Sequence, residues 1–179
     1  MVTLREPPSG APTITAAHNL TSRSLYLAWE PPHPLTVNGE FLGYRLTYET
    51  RGGRAGPGRA VRELRSPATT EYILRDLAEF TQYAVSLAVV NPAGPGPAAR
   101  VTVMTDEGVP SAPQFSTVHS VTSNSAVVDW SRPGQPNGRI QGYRLYFLRG
   151  NSTDVVTIQS EDPRVDYKLT GLGKFSFEP

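Results

Sequence analysis

The 179-residue chain is predicted to be all-β: two antiparallel β-sandwich modules in tandem, the second lacking its last two strands. Three observations carry this reading. The sequence repeats itself at an offset of about 100 residues, short apolar/polar alternations of period two fill each repeat, and proline and glycine clusters cut those alternations apart. No stretch longer than a turn has an apolar period of 3.6, so helices are not expected.

The repeat comes first because it sets the module count. Pro12, Ser24–Trp29, Asn38-Gly39 and Gly43–Tyr48 are answered by Pro113, Ser125–Trp130, Asn137-Gly138 and Gly142–Phe147. The offset is 101 at the prolines and tryptophans, 99 at Tyr44/Tyr143, and 95 where Glu71–Leu77 returns as Asp166–Leu172. Drifts of this size are what changes in loop length produce. Within the first repeat, Leu25/Leu27/Trp29, Tyr44/Leu46/Tyr48, Tyr72/Leu74 and Tyr83/Val85/Leu87/Val89 alternate as half-buried strands do. Between them stand turn clusters at residues 31–34, 51–58 and 91–97. The modules are placed at residues 8–106 and 114–179. Residues 107–113 are read as a short linker in which Pro110 and Pro113 limit bending.

Composition sets outer bounds. Hydrophobic residues make up 38%, and 16 glycines with 17 prolines fall below the share that marks low-complexity chains, so a core can form. The net charge of +1 creates no bulk field for nucleic acid. With no run of about 18 apolar residues, direct membrane insertion by this chain is not expected. Cysteine is absent, which removes disulfides, thiol nucleophiles and cysteine-ligated metals together. Residues 1–8 carry no apolar signal segment, so a secreted protein would hold this chain as an internal piece.

The landmarks together resemble fibronectin type III: Ala11-Pro12, Trp29 ending the second strand, Asn38-Gly39…Gly43-Tyr44-Arg45-Leu46-Thr47-Tyr48, Tyr72-Ile73-Leu74, and Tyr83–Val89 followed by Asn91, Gly94 and Gly96. The resemblance implies that Trp29 sits between the sheets, with Tyr44 and, in the second module, Trp130 and Tyr143 as core positions. It also implies that Tyr83 is a corner tyrosine whose hydroxyl returns to upstream backbone. Leu77–Thr81 is matched by Leu172–Ser176, after which the sequence stops at Pro179, whereas the first module continues from Tyr83 to Thr105. In the family those two strands lie beside the third. Each buried aliphatic or aromatic side chain is worth about 1.5–3 kcal/mol, against a net stability of about 5–15 kcal/mol. Residues from about 110 onward are therefore not expected to fold robustly alone.

No catalytic or cofactor site is read from the sequence. His18, His33 and His119 stand apart from one another, and no metal site or cofactor is assigned. Neither a Gly-x-Ser-x-Gly elbow nor a His-Glu-x-x-His pair occurs. Gly94–Ala99 fits a loose dinucleotide pattern, but Pro95 and Pro97 lack the N–H groups that such a loop must donate. Gly171–Lys174 lacks the spacing of a phosphate loop.

Two features remain. Arg51, Arg54, Arg59, Arg62 and Arg65, against Glu63, form a basic run. It suits sulfated glycosaminoglycan by bidentate arginine contacts, while the simpler reading is a solvated hairpin with edge-protecting charge. No aromatic is interleaved, which disfavours single-stranded nucleic acid. Asn19-Leu20-Thr21 and Asn151-Ser152-Thr153 are N-glycosylation sequons, both read as lying in loops between strands. No Arg-Gly-Asp occurs, so integrin binding through the Asn91–Ala98 hairpin is not expected. The resemblance implies a non-catalytic binding and spacing segment of a cell-surface or secreted multi-module protein, an adhesion or receptor ectodomain meeting protein ligands or neighbouring modules. The alternatives are an intracellular structural array, as in sarcomeric proteins, or an accessory module of an enzyme such as a receptor tyrosine phosphatase.

Overall fold

The computed structural model describes residues 5–51 and 58–173. It is all-β, with twelve strands and a single 3-10 turn at Pro34–Thr36 among the described residues. The chain divides into two compact units, Met1–Glu107 and Gly108–Pro179.

The first unit holds β1 (Thr13–Thr21), β2 (Ser24–Glu30), β3 (Gly43–Arg51), β4 (Ala60–Leu64), β5 (Glu71–Leu74), β6 (Gln82–Asn91) and β7 (Gly94–Met104). They form two sheets, ordered β1-β2-β5 and β4-β3-β6-β7, with every pairing antiparallel. The period-two alternation decides which residues face inward. Leu25, Leu27 and Trp29 of one sheet meet Tyr44, Leu46, Tyr48, Tyr83, Val85, Leu87 and Val89 of the other in one buried cluster. Trp29 packs edge-on against Tyr44 at 5.3 Å between ring centres. Burial pushes the Tyr44 hydroxyl pKa up. Tyr83 is fully buried, and its hydroxyl accepts the Ala78 N–H at 2.8 Å, tying β6 back to the loop before it.

The second unit repeats five of these strands: β8 (Gln114–His119), β9 (Ser125–Ser131), β10 (Tyr143–Arg149), β11 (Ser152–Ile158) and β12 (Arg164–Thr170). The sheets are β12-β9-β8 and β10-β11. Its buried cluster is Val128, Trp130, Val165 and Leu169, with Tyr143, Leu145 and Phe147 only half-buried against it. In the first unit the matching residues, Tyr44, Leu46 and Tyr48, are 1%, 0% and 6% exposed. The difference has a direct cause. β3 lies between β4 and β6, whereas β10 is flanked among the described residues by β11 alone. Tyr143, expected in the core, still packs edge-on against Trp130 at 5.4 Å but is not enclosed.

The repeated landmarks have local physical reasons. A Cβ on Gly43 would collide with the Leu64 carbonyl, and one on Gly142 would come within 2.5 Å of the Ile158 carbonyl. The neighbouring strand thus excludes a side chain just before each Gly-Tyr. Asn38 and Asn137 both adopt left-handed backbone, with φ of 55° and 48°, and both side chains clamp an entering segment. Asn38 Nδ2 donates to the Pro7 carbonyl and Asn137 Nδ2 to the Val109 carbonyl, each at 2.9 Å. Gly108 and Ser111 N–H donate to the carbonyls of Asn137 and Gln135, so this part of the segment read as linker is bonded to the second unit.

Candidate interaction surfaces

The described members of the basic run take positions at both ends and on both faces of the β3–β4 hairpin. Arg54 lies outside the described residues. Arg51 ends β3 and Arg59 precedes β4, whose Ala60 pairs with Tyr48, so these two share one end of the hairpin. Arg62 pairs with Leu46 and takes the register position that faces the core side of an edge strand, opposite to Val61 and Glu63. Arg65 follows Leu64 at the far end, about 20 Å from Arg59 at the rise of an extended strand. On the outer face Arg45 is already paired with Glu63 at 2.5 Å, an exposed pair of small energetic worth.

The sequons are displayed differently. Asn19 belongs to β1 and pairs with Leu25, so it is not in a loop; its side chain is nonetheless exposed near the strand end. Asn151 lies in the tight β10–β11 turn, after Gly150 at φ 59°, and is exposed.

A polar knot organises one end of the first unit. Asn91, 2% exposed at the end of β6, donates from Nδ2 to the carbonyls of Glu6 (2.8 Å), Val37 (2.9 Å) and Asn38 (3.3 Å). Its Oδ1 accepts the Ala93 N–H at 2.8 Å. One side chain therefore fixes the entering segment, the loop after the 3-10 turn and the β6–β7 hairpin. Around it, Arg5, Asn38, Glu40 and Pro92 line a recess of about 240 Å³. The sequence marks Asn91 as a landmark but not its bonds, because its three acceptors come from segments 53 to 85 residues away.

Among the described residues the fold brings together one group the sequence had kept apart. His119, Asp129 and Asp166, from β8, β9 and β12, place ligand-type atoms within 4.8 Å of one another. No spacing signal could reveal it, since each strand contributes one member. Its central member is already satisfied. Asp129 is 1% exposed, and its Oδ1 accepts the Thr117 N–H at 2.6 Å and the Thr117 hydroxyl at 3.1 Å. Its Oδ2 receives the Arg164 guanidinium. That cation offsets the Asp129–Asp166 cross-strand repulsion, so Asp129 and Arg164 form a structural ion pair. Burial alone would raise the Asp129 pKa; Arg164 and the two Thr117 bonds outweigh it and hold the carboxyl below its ordinary value.

The consequence for stability has a definite sign. A carboxylate whose folded pKa is depressed binds fewer protons folded than unfolded, so it contributes stability above the unfolded pKa of about 3.9 and loses it as pH falls through the lower folded value. The second unit should therefore lose stability on acidification below about pH 4. Asp129→Asn should remove that part of the slope while lowering stability at neutral pH. Urea midpoints taken from pH 7 down to 3 would check this, and an unchanged slope in the variant would contradict it.

The other histidines have local roles. His18 packs against Tyr26 at 5.2 Å, and His33 Nδ1 accepts the Leu35 N–H at the start of the 3-10 turn. The Tyr26 hydroxyl donates to Glu71 at 2.8 Å; that bond, then burial and the carboxylate charge, raises the Tyr26 pKa. No described helix is long and apolar enough to cross a membrane.

Comparison with known proteins agrees with the architecture. The model of the fibronectin type III domain matches residues 7–105 and 111–175. The chain is 45% identical over 199 aligned residues to mosPTP-1 of Aedes aegypti, named as a receptor-type tyrosine-protein phosphatase, covering 99% of this chain and 15% of that protein. It is 36% identical over 141 residues to protein sidekick-2 of Gallus gallus, covering 78% of this chain and 6% of that one. The chain thus spans only a small part of the relatives it matches. Among solved structures, the third fibronectin III domain of human KIAA0343 protein shares the fold at a TM-score of 0.52 and 22% identity, over 63% of this chain and 94% of that one. With two matched segments covering most of its length, the chain belongs to the fibronectin type III family.

Proposed function

We infer that this chain is a non-catalytic spacing and binding segment on the extracellular side of a multi-module receptor or adhesion protein, one module pair in a longer array. The observation that carries the reading is the alignment of nearly the whole chain, both modules in order, with part of a much longer receptor-type phosphatase. In such a protein the catalytic part would lie outside this segment. A buried core with charged, bulged or proline-bearing edges suits a spacer, and the loops held by Asn91 offer a rigid end for a protein ligand or a neighbouring module. The sulfated glycosaminoglycan reading retains only Arg51 and Arg59 at a common hairpin end.

Location is the part most open to direct test. Glycopeptide mass spectrometry on the natural protein should find N-glycan on Asn19, Asn151 or both, since both side chains are exposed. Peptides covering both asparagines with neither modified would raise the intracellular array to equal standing.

A further inference from the structure

We propose that the free joint of the chain is Glu107 alone, because a two-point clamp built on the Asn-Gly turn makes residues 108–111 part of the second unit's fold. The clamp is the same in both units. In the first, Asn38 Nδ2 donates to the Pro7 carbonyl at 2.9 Å, and the Ser9 N–H donates to the Thr36 carbonyl at 2.8 Å. In the second, Asn137 Nδ2 donates to the Val109 carbonyl at 2.9 Å, and the Ser111 N–H donates to the Gln135 carbonyl at 2.9 Å. Each time the asparagine side chain takes one carbonyl of the entering segment. The carbonyl two residues before that asparagine takes the N–H two residues further on.

The bonded residues are 31 apart in the first unit and 28 in the second, so the same bonds form although the intervening chain differs in length. Two more bonds tighten the second clamp: the Gly108 N–H donates to the Asn137 carbonyl at 2.6 Å, and the Gln135 N–H donates to Ser111 Oγ at 3.2 Å. Pro110, which has no N–H to offer, falls between the bonded positions.

The first unit holds its own end as firmly. Thr105 is 2% exposed; its hydroxyl donates to the Ala78 carbonyl at 2.7 Å and its N–H to the Thr81 carbonyl at 3.0 Å. The Phe80 N–H donates to the Asp106 carbonyl at 2.9 Å. A peptide unit is planar, so the Asp106 carbonyl fixes the 106–107 peptide to the first unit and the Gly108 N–H fixes the 107–108 peptide to the second. Between these two planes only φ and ψ of Glu107 remain to turn. Opening the clamp would add residues 108–111 to the free chain, about 13 Å of reach at about 3.3 Å per residue. As a property of a spacer this joint rests on the function inferred above, which glycan occupancy at Asn19 and Asn151 tests separately.

The test is backbone ¹⁵N relaxation and amide exchange on the whole chain. In the parent protein the Glu107 amide should be as ordered as the first unit, and those of Gly108, Val109 and Ser111 as ordered as β9. Asn137→Gly removes the clamping side chain while keeping a residue that tolerates the left-handed backbone at φ 48°. In that variant order parameters at 108–111 should fall toward about 0.6, and exchange at Gly108 and Ser111 should accelerate about three- to tenfold. Asn38→Gly, the same change in the first unit, should leave both amides as they are. A run of mobile amides through 107–111 in the parent chain, or no response to Asn137→Gly, would overturn the proposal. So would loss of protection across β9 in the parent chain, because the clamp would then have no folded unit to hold to.

Discussion

Leu46→Ala should cost the first unit about 2–5 kcal/mol, whereas Leu145→Ala, at the same place in the repeat, should cost the second only about 1–1.5 kcal/mol. Leu46 is fully buried in the centre of a four-stranded sheet, so truncation leaves a cavity that rigid neighbours on both sides cannot fill. Leu145 is half-buried, and removing its methyls withdraws less area from a protected place. Against a domain stability of about 5–15 kcal/mol, the first change should be close to unfolding and the second mild. The two tryptophans, Trp29 and Trp130, sit one in each core, so urea titrations in single-tryptophan backgrounds would read the units separately. Equal losses at the two positions would mean that β10 is as enclosed as β3.

Asn91→Ala should be the most costly polar substitution in the first unit, at about 2–4 kcal/mol. It leaves the Val37 carbonyl without its buried donor and releases the Glu6 and Asn38 carbonyls and the Ala93 N–H at the same time. Asn91→Asp, although nearly isosteric, should cost at least as much. It keeps the acceptor for Ala93 but turns a negative oxygen toward three carbonyls in a site only 2% exposed. Amide exchange should accelerate at Ser9, Gly10 and residues 36–38 in both variants, while the centre of β6 moves only with global stability. Wild-type protection in those two segments would show that the entering strand and the loop are held by other contacts.

Much of the fold was legible because its signals are local. Alternation of period two places Leu27 and Tyr44 inward whatever surrounds them, and the tandem repeat exposes the module count without any knowledge of pairing. The corner position of Tyr83 followed from the family resemblance, and the hydroxyl bond to Ala78 is its geometry here. The surface was legible only in part. Arg51 to Arg65 look like one patch in a line of text, but neighbours in a strand point to opposite faces and successive residues advance more than 3 Å.

What the sequence by itself determined, then, is the class, the tandem organisation and the inward-facing set, all consequences of patterns a few residues long. What only the tertiary structure decided is which distant groups meet. Asn91 finds its three carbonyls, and Asp129 finds Arg164 and Thr117. Each depends on strand order and register between segments tens of residues apart. Burial, hydrogen bonding and ion pairing are properties of that neighbourhood, so the same tyrosine and leucine are sealed in one unit and half-open in the other.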